Sequence, residues 1–224
     1  MNTLNLFDNK VKVGISELSD GNMRFFNGSS EKEIQDNQRS LAASIGSSKT
    51  ARLCTTYGDD RSYADYEILD KKNFSSYDIM NPESTITVTD GLATQEGIGI
   101  LLPLADCLGV VLFDPEHNVL GLVHSGRQNL EQNGLKLFVE FLQDKFQTNP
   151  RELRAFFSPC AQDYKIYKFE KTLPQVAEEQ LEKMGVDKKN ILKSSVDTVS
   201  NQNYPSHSQK DSTTRFAIVA KLSV

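Results

Sequence analysis

Three closely spaced apolar runs most constrain what this chain can become. Residues 98–104, 110–113 and 119–123 are short and rich in Ile, Leu, Val and Phe, which reads as strand. Asp114-Pro115-Glu116-His117-Asn118 is a tight polar connection, so 110–113 and 119–123 are expected to form a hairpin. Further strands are expected at 86–88, 154–157, 164–169, 195–199 and 215–222. Three helices stand between them. Ser30-Glu31-Lys32-Glu33 has the pattern of a capping box and opens an apolar stripe of Ile34, Leu41, Ala42 and Ile45, with Gly46 to close it. A helix over about 126–146 has Leu130, Leu137, Phe138, Phe141, Leu142 and Phe146 on one face. A third, over 173–184, has Thr172 as cap, Pro174 in its first turn and Gly185 at its end. Many strands with three helices in mixed order predict an α+β (mixed α/β) fold, with mixed β-sheets flanked by helices. No repeat or linker divides residues 1–224, which read as one domain.

Composition limits the function. The chain has 224 residues and a formal charge of −5, which argues against a broad phosphate-tracking surface and so against nucleic acid as a partner. No apolar run is long enough to span a bilayer, so no membrane partner is expected. The first residues carry no apolar targeting segment and the three cysteines are scattered, which predicts reduced thiols and a cytoplasmic location. Three His and three Cys are all that a site built from these residue types can draw on.

Residues 89–128 carry the chemistry. Asp106-Cys107 ends one apolar strand, and His124 ends the next but one, just before a helix. With the expected hairpin register, both side chains reach one rim of the sheet. Such a pair is either a nucleophile and its base or part of a Zn site. On the residues alone, a packing role for the thiol and a hydrogen-bonded rim role for the imidazole stand somewhat ahead of chemistry. Ser125-Gly126-Arg127-Gln128 places Ser125 as cap, Gly126 and Arg127 at a helix N-terminus, where backbone N–H groups attract phosphate. His117 reads as solvated, His207 as solvated with a pocket-lining role as the lesser alternative, and Cys54 and Cys160 as structural.

The order and spacing of Asp90-Gly91-Leu92-Ala93-Thr94, then Ala105-Asp106-Cys107, then His124-Ser125-Gly126 resemble the YfiH-like family. That family is also called the laccase-domain, polyphenol oxidase or purine nucleoside phosphorylase family. Asn37, the 158–164 segment and Thr214-Arg215 resemble its flanking motifs. The resemblance implies a Zn site of His, Cys and His, acting on purine nucleoside and phosphate by phosphorolysis or adenosine deamination. Cys107 and His124 match two of the ligands, and Asp106 would assist as a proton carrier. Arg127, Ser125, Gly126, Asn37 and Arg215 would contact substrate or phosphate. Tyr57 stands where the first His belongs, and Arg127 and Gln128 stand at the Trp and Arg positions of the third motif. Six His and Cys positions cannot furnish the ligand sets of several copper ions, so copper is disfavoured against Zn. Two other classes stay open: a catalytically degenerate homologue binding a nucleotide or protein, and a metal-free Cys–His hydrolase.

Overall fold

Strands that are apolar on both sides must be covered on both faces. The computed structural model, which describes residues 1–25, 30–56, 61–81, 88–166, 168–210 and 213–223, meets this demand with two stacked sheets between helices. In chain order its strands are β1 (Asn2–Leu6), β2 (Val11–Ile15), β3 (Thr50–Arg52), β4 (Tyr66–Ile68), β5 (Gly91–Thr94) and β6 (Gly99–Leu104). Then come β7 (Leu108–Asp114), β8 (Val119–Ser125), β9 (Arg154–Phe157), β10 (Lys165–Ile166), β11 (Lys171–Thr172), β12 (Ile191–Lys193) and β13 (Phe216–Leu222). The helices are α1 (Glu31–Ser44), α2 (Arg127–Glu131), α3 (Gly134–Phe146), α4 (Leu173–Lys183) and α5 (His207–Lys210).

One sheet has the order β1-β2-β13-β6-β3, and the other β12-β9-β7-β8-β5-β4. Both are mixed: β3 runs parallel to β6, β12 to β9 and β4 to β5, while the remaining pairs are antiparallel. Alternation assigns each side chain to a layer. Ile100, Leu102 and Leu104 of β6 meet Val111 and Phe113 of β7 and Leu120 and Leu122 of β8 between the sheets. Leu101 points the other way, with Ala217 and Val219, to pack on Leu41 and Ile45 of α1. Val110, Leu112 and Val123 face outward from the second sheet onto Phe138, Leu142 and Leu181. The α+β expectation therefore holds, as a four-layer helix–sheet–sheet–helix stack.

The expected hairpin is present, with Val110 opposite Val123 and Asp114 opposite Val119. Asp114 closes its turn by accepting from the backbone N–H groups of Glu116 and His117. His117 is not simply solvated: its Nδ1 lies 2.9 Å from an Asp114 carboxylate oxygen. Ser30 caps α1 by accepting from Glu33 N–H, and α4 has the full capping box of Thr172 and Gln175.

Several expectations are corrected. The 126–146 helix is two helices, α2 and α3. Asn133 adopts φ 60° between them, and the Asn129 side chain fills the space where a Cβ on Gly134 would sit. Asn129 is held there by donating to Tyr63 O at 3.0 Å. The strand expected at 164–169 shortens to β10, because the N–H groups of Phe169 and Glu170 turn back to Ile166 O. Residues 195–199 are a loop: Asp197 accepts from the N–H groups of Gln162, Val199 and Ser200, and such local bonds compete with a ladder. Of the strand expected at 86–88, only Val88 is described, as a bridge to Cys54. The hairpin β1–β2, unforeseen, turns through Phe7, Asp8 and Asn9 at positive φ.

Candidate active site

The β7–β8 register sets Leu108 opposite Ser125 and Gly109 opposite His124, which leaves Cys107 across from Gly126. A Cβ on Gly126 would lie 3.1 Å from Cys107 Sγ, 2.9 Å from His124 Cε1 and 3.3 Å from His124 Nε2. Thiol and imidazole thus converge on one point, and only glycine leaves room there. His124 is 1% exposed and its N–H donates to Asp90 O at 2.9 Å. Burial, then the positive charges of Arg61 and Arg24, push its imidazole down to about 4. His124 is therefore neutral near pH 7, able to offer a lone pair, and unsuited to act as an acid. Cys160, by contrast, is fully buried, and burial pushes its thiol up to about 12.

Asp106 precedes this pair in a left-handed turn, at φ 68°. Its Oδ1 accepts from Thr198 Oγ1. Its Oδ2 accepts from Ser206 Oγ, from the N–H groups of His207 and Ser208, and from Ser208 Oγ, at 2.8–3.0 Å. This carboxylate anchors the C-terminal loop against the strand end that carries Cys107.

The helix N-terminus differs from its expected form. Ser125 is not the cap: it is the last residue of β8 and is fully buried, and Gly126 is the cap. α2 has only five residues, too few to sum a strong dipole, and Arg127 pairs with Glu131 at 3.2 Å. Arg127 and Gln128 nevertheless line a cleft of about 210 Å³ with Cys107, Tyr164 and His207. Asn37 lies elsewhere, donating to Asn22 O at 3.0 Å, and Arg215 lines a second cavity with Arg24 and Arg52. Tyr57, together with Asp59 and Asp60, lies outside the described residues.

Arg61 was not foreseen. It forks onto the buried Asp90 at 2.8 and 3.1 Å and donates to Thr56 O at 3.1 Å, tying the segment before Tyr57 to β5. Burial pushes the Asp90 carboxyl up and the Arg61 fork opposes it. Nothing in the spacing around Arg61 singles it out. Arg52, a charge inside the apolar run Ala51-Arg52-Leu53, is the one missed residue with a sequence signal.

A family model described as multi-copper polyphenol oxidoreductase laccase matches residues 8–172. The chain belongs to this YfiH-like, laccase-domain family. Solved structures agree on the fold. The hypothetical protein YfiH of Bacillus licheniformis aligns at TM-score 0.82 and 17% identity, over 96% of this chain and 94% of that one. YlmD from Geobacillus stearothermophilus aligns at TM-score 0.80 and 18% identity, over 96% and 93%. Protein NMB0706 of Neisseria meningitidis aligns at 0.74 and 15%, over the whole of both chains. No curated protein matches the chain.

The family description names copper. Among the described residues, no three His, Cys, Asp or Glu side chains are grouped to hold a metal. A catalytic Zn site normally keeps three protein ligands. Cys107 and His124 are two, so the described donors do not amount to such a centre.

Proposed function

We propose that this laccase-domain protein acts on purine nucleosides, by phosphorolysis or adenosine deamination, with Cys107 and His124 at the reacting centre. The observation that carries the reading is the convergence of thiol and imidazole at Gly126, beside the Cys107 cleft. The neutral imidazole offers a lone pair there, to a metal ion or to a hydrogen-bond donor of the substrate. Burial at the strand end keeps water from it, and Asp106 positions the loop bearing His207 and Ser208. A Zn ion at the pair needs a further donor, and Tyr57 is the one that motif spacing offers.

Purified protein is incubated with inosine or adenosine, with and without phosphate and added Zn, and free base and inosine are followed by chromatography. Turnover lost in both Cys107→Ala and His124→Ala supports the reading, and no turnover of any nucleoside sinks it. Metal analysis after dialysis tests the donor set. Stoichiometric Zn, lost in Cys107→Ala and lowered in Tyr57→Phe, supports Tyr57 as ligand. The missing first His and the altered Trp-Arg pair favour a second reading, a homologue that has lost catalysis and binds a nucleotide or a protein partner, which predicts neither retained Zn nor turnover.

A further inference from the structure

The three cysteines are not equally placed around the site. The β7–β9 ladder ends at Val110 opposite Phe157, but the two segments stay paired beyond it. Ser158 N–H donates to Gly109 O at 3.0 Å, and Ala161 N–H donates to Asp106 O at 2.9 Å. Two residues lie between these contacts on each segment, so Leu108 faces Pro159 and Cys107 faces Cys160. Residues that face each other in an antiparallel pair are about 4.5–5.5 Å apart at Cα, within the ~4.4–6.8 Å that a disulfide spans. Both are thiols in this structure. After burial, Cys107 is the largest influence that pushes the Cys160 thiol up, which agrees with this closeness.

The backbone holds the two positions in place. Asp106 is clamped by the hydrogen bonds to its carboxylate, Pro159 has a fixed φ, and Cys160 O accepts from Thr198 N–H at 3.0 Å. Cys160 Sγ accepts from Gln162 Nε2 at 3.6 Å, a long contact that rotation about χ1 gives up. The two thiols differ in access. Cys107 lines the cleft, where a small oxidant can meet it, whereas Cys160 is fully buried. Cys54 lines the separate arginine cavity. An accessible thiol with a buried thiol opposite it is the arrangement of an attacking and a resolving cysteine.

We infer that a peroxide joins Cys107 and Cys160 in a disulfide that takes Cys107 away from His124. The Cys107 sulfur attacks one peroxide oxygen and the O–O bond breaks. Cys107 becomes a sulfenic acid, and the other oxygen leaves as water. The Cys160 sulfur then displaces the sulfenic hydroxyl, which leaves as a second water with the Cys160 thiol proton. In sum, two thiols and one hydrogen peroxide give one disulfide and two waters. Cys107 Sγ then leaves its place beside Gly126 and the imidazole. The bond depends on no step of the proposed reaction; only its effect on turnover rests on that reading.

Full-length protein, dialysed against chelator, is treated with hydrogen peroxide, alkylated with N-ethylmaleimide and digested with trypsin without reduction. Trypsin leaves Cys54, Cys107 and Cys160 in separate peptides, 53–61, 73–127 and 155–165. Mass spectrometry should find 73–127 joined to 155–165, two hydrogens lighter than the two thiol peptides together, with Cys54 alkylated. Alkylation of Cys107 should fall about tenfold and recover with dithiothreitol. In Cys160→Ala, with wild-type circular dichroism, dimedone should instead trap Cys107 as the sulfenic acid. Oxidation of Cys107 to sulfinic acid without linkage, linkage to Cys54, linkage between two chains, or unchanged alkylation of Cys107 overturns the inference. If the linked protein forms while no nucleoside is turned over, the proposed reaction fails and this inference stands.

Discussion

At the scale of single residues, two groups beside the site have opposite fates. His124 is held neutral by burial and by Arg61 and Arg24, at about 4 against an ordinary 6.5. As the pH falls below about 6.5, the unfolded chain takes up this proton and the folded chain does not. The contribution of His124 is therefore complete above that value and is lost progressively as pH falls towards 4. In chelator-treated protein the loss should be on the order of 3 kcal/mol. An NMR titration of the His124 ring checks it, and an inflection near 6.5 would refute the depressed value. Asp106 is charged with a different task, since its carboxylate accepts five hydrogen bonds from residues 198–208. Asp106→Ala should cost about 2–4 kcal/mol by urea melt, because it strands several donors. Asp106→Asn should cost less, because Asn tolerates the left-handed turn and still accepts. The Asp106-Cys107 pairing was legible as a motif. The carboxylate's partners were not, because they lie about a hundred residues along the chain.

At the scale of elements, glycines decide how closely layers approach. Cβ atoms on Gly91 and Gly121 would lie 2.9 and 2.8 Å from ring carbons of Phe138, so α3 seats its aromatic ring on bare backbone of β5 and β8. Gly121→Ala should destabilise by about 1–3 kcal/mol through overpacking. Phe138→Leu in the same chain should recover part of that loss in a double-mutant cycle. Gly126→Ala tests the site in the same way, since its methyl group would press on both Cys107 Sγ and the His124 ring. Activity or metal retention should fall at least tenfold in that variant, while the melting temperature falls by only a few degrees (roughly 1 kcal/mol). Helices α1 and α4 were legible because caps and apolar stripes are local. The break between α2 and α3 was not, because it depends on Asn129 reaching Tyr63 across the fold.

At the scale of the molecule, β13 joins β2 to β6 in the middle of its sheet and packs on both faces. Its central amides, Ile218 and Val219, should exchange with solvent only on global unfolding. Those of the edge strand β4 should exchange far sooner, as hydrogen-exchange mass spectrometry can show. Hydrophobic alternation, turn chemistry and caps determined by themselves the mixed α+β class, the central hairpin and, through its register, the meeting of Cys107 with His124. Those features depend on neighbours a few residues apart, which periodicity encodes. Only the tertiary structure decided where charge collects. It paired Arg127 with Glu131, turned Asp106 into an anchor for the C-terminal loop, and brought Arg24, Arg52 and Arg215 to one cavity. Electrostatic partners are chosen by proximity in space and by desolvation, and neither leaves a local pattern along the chain.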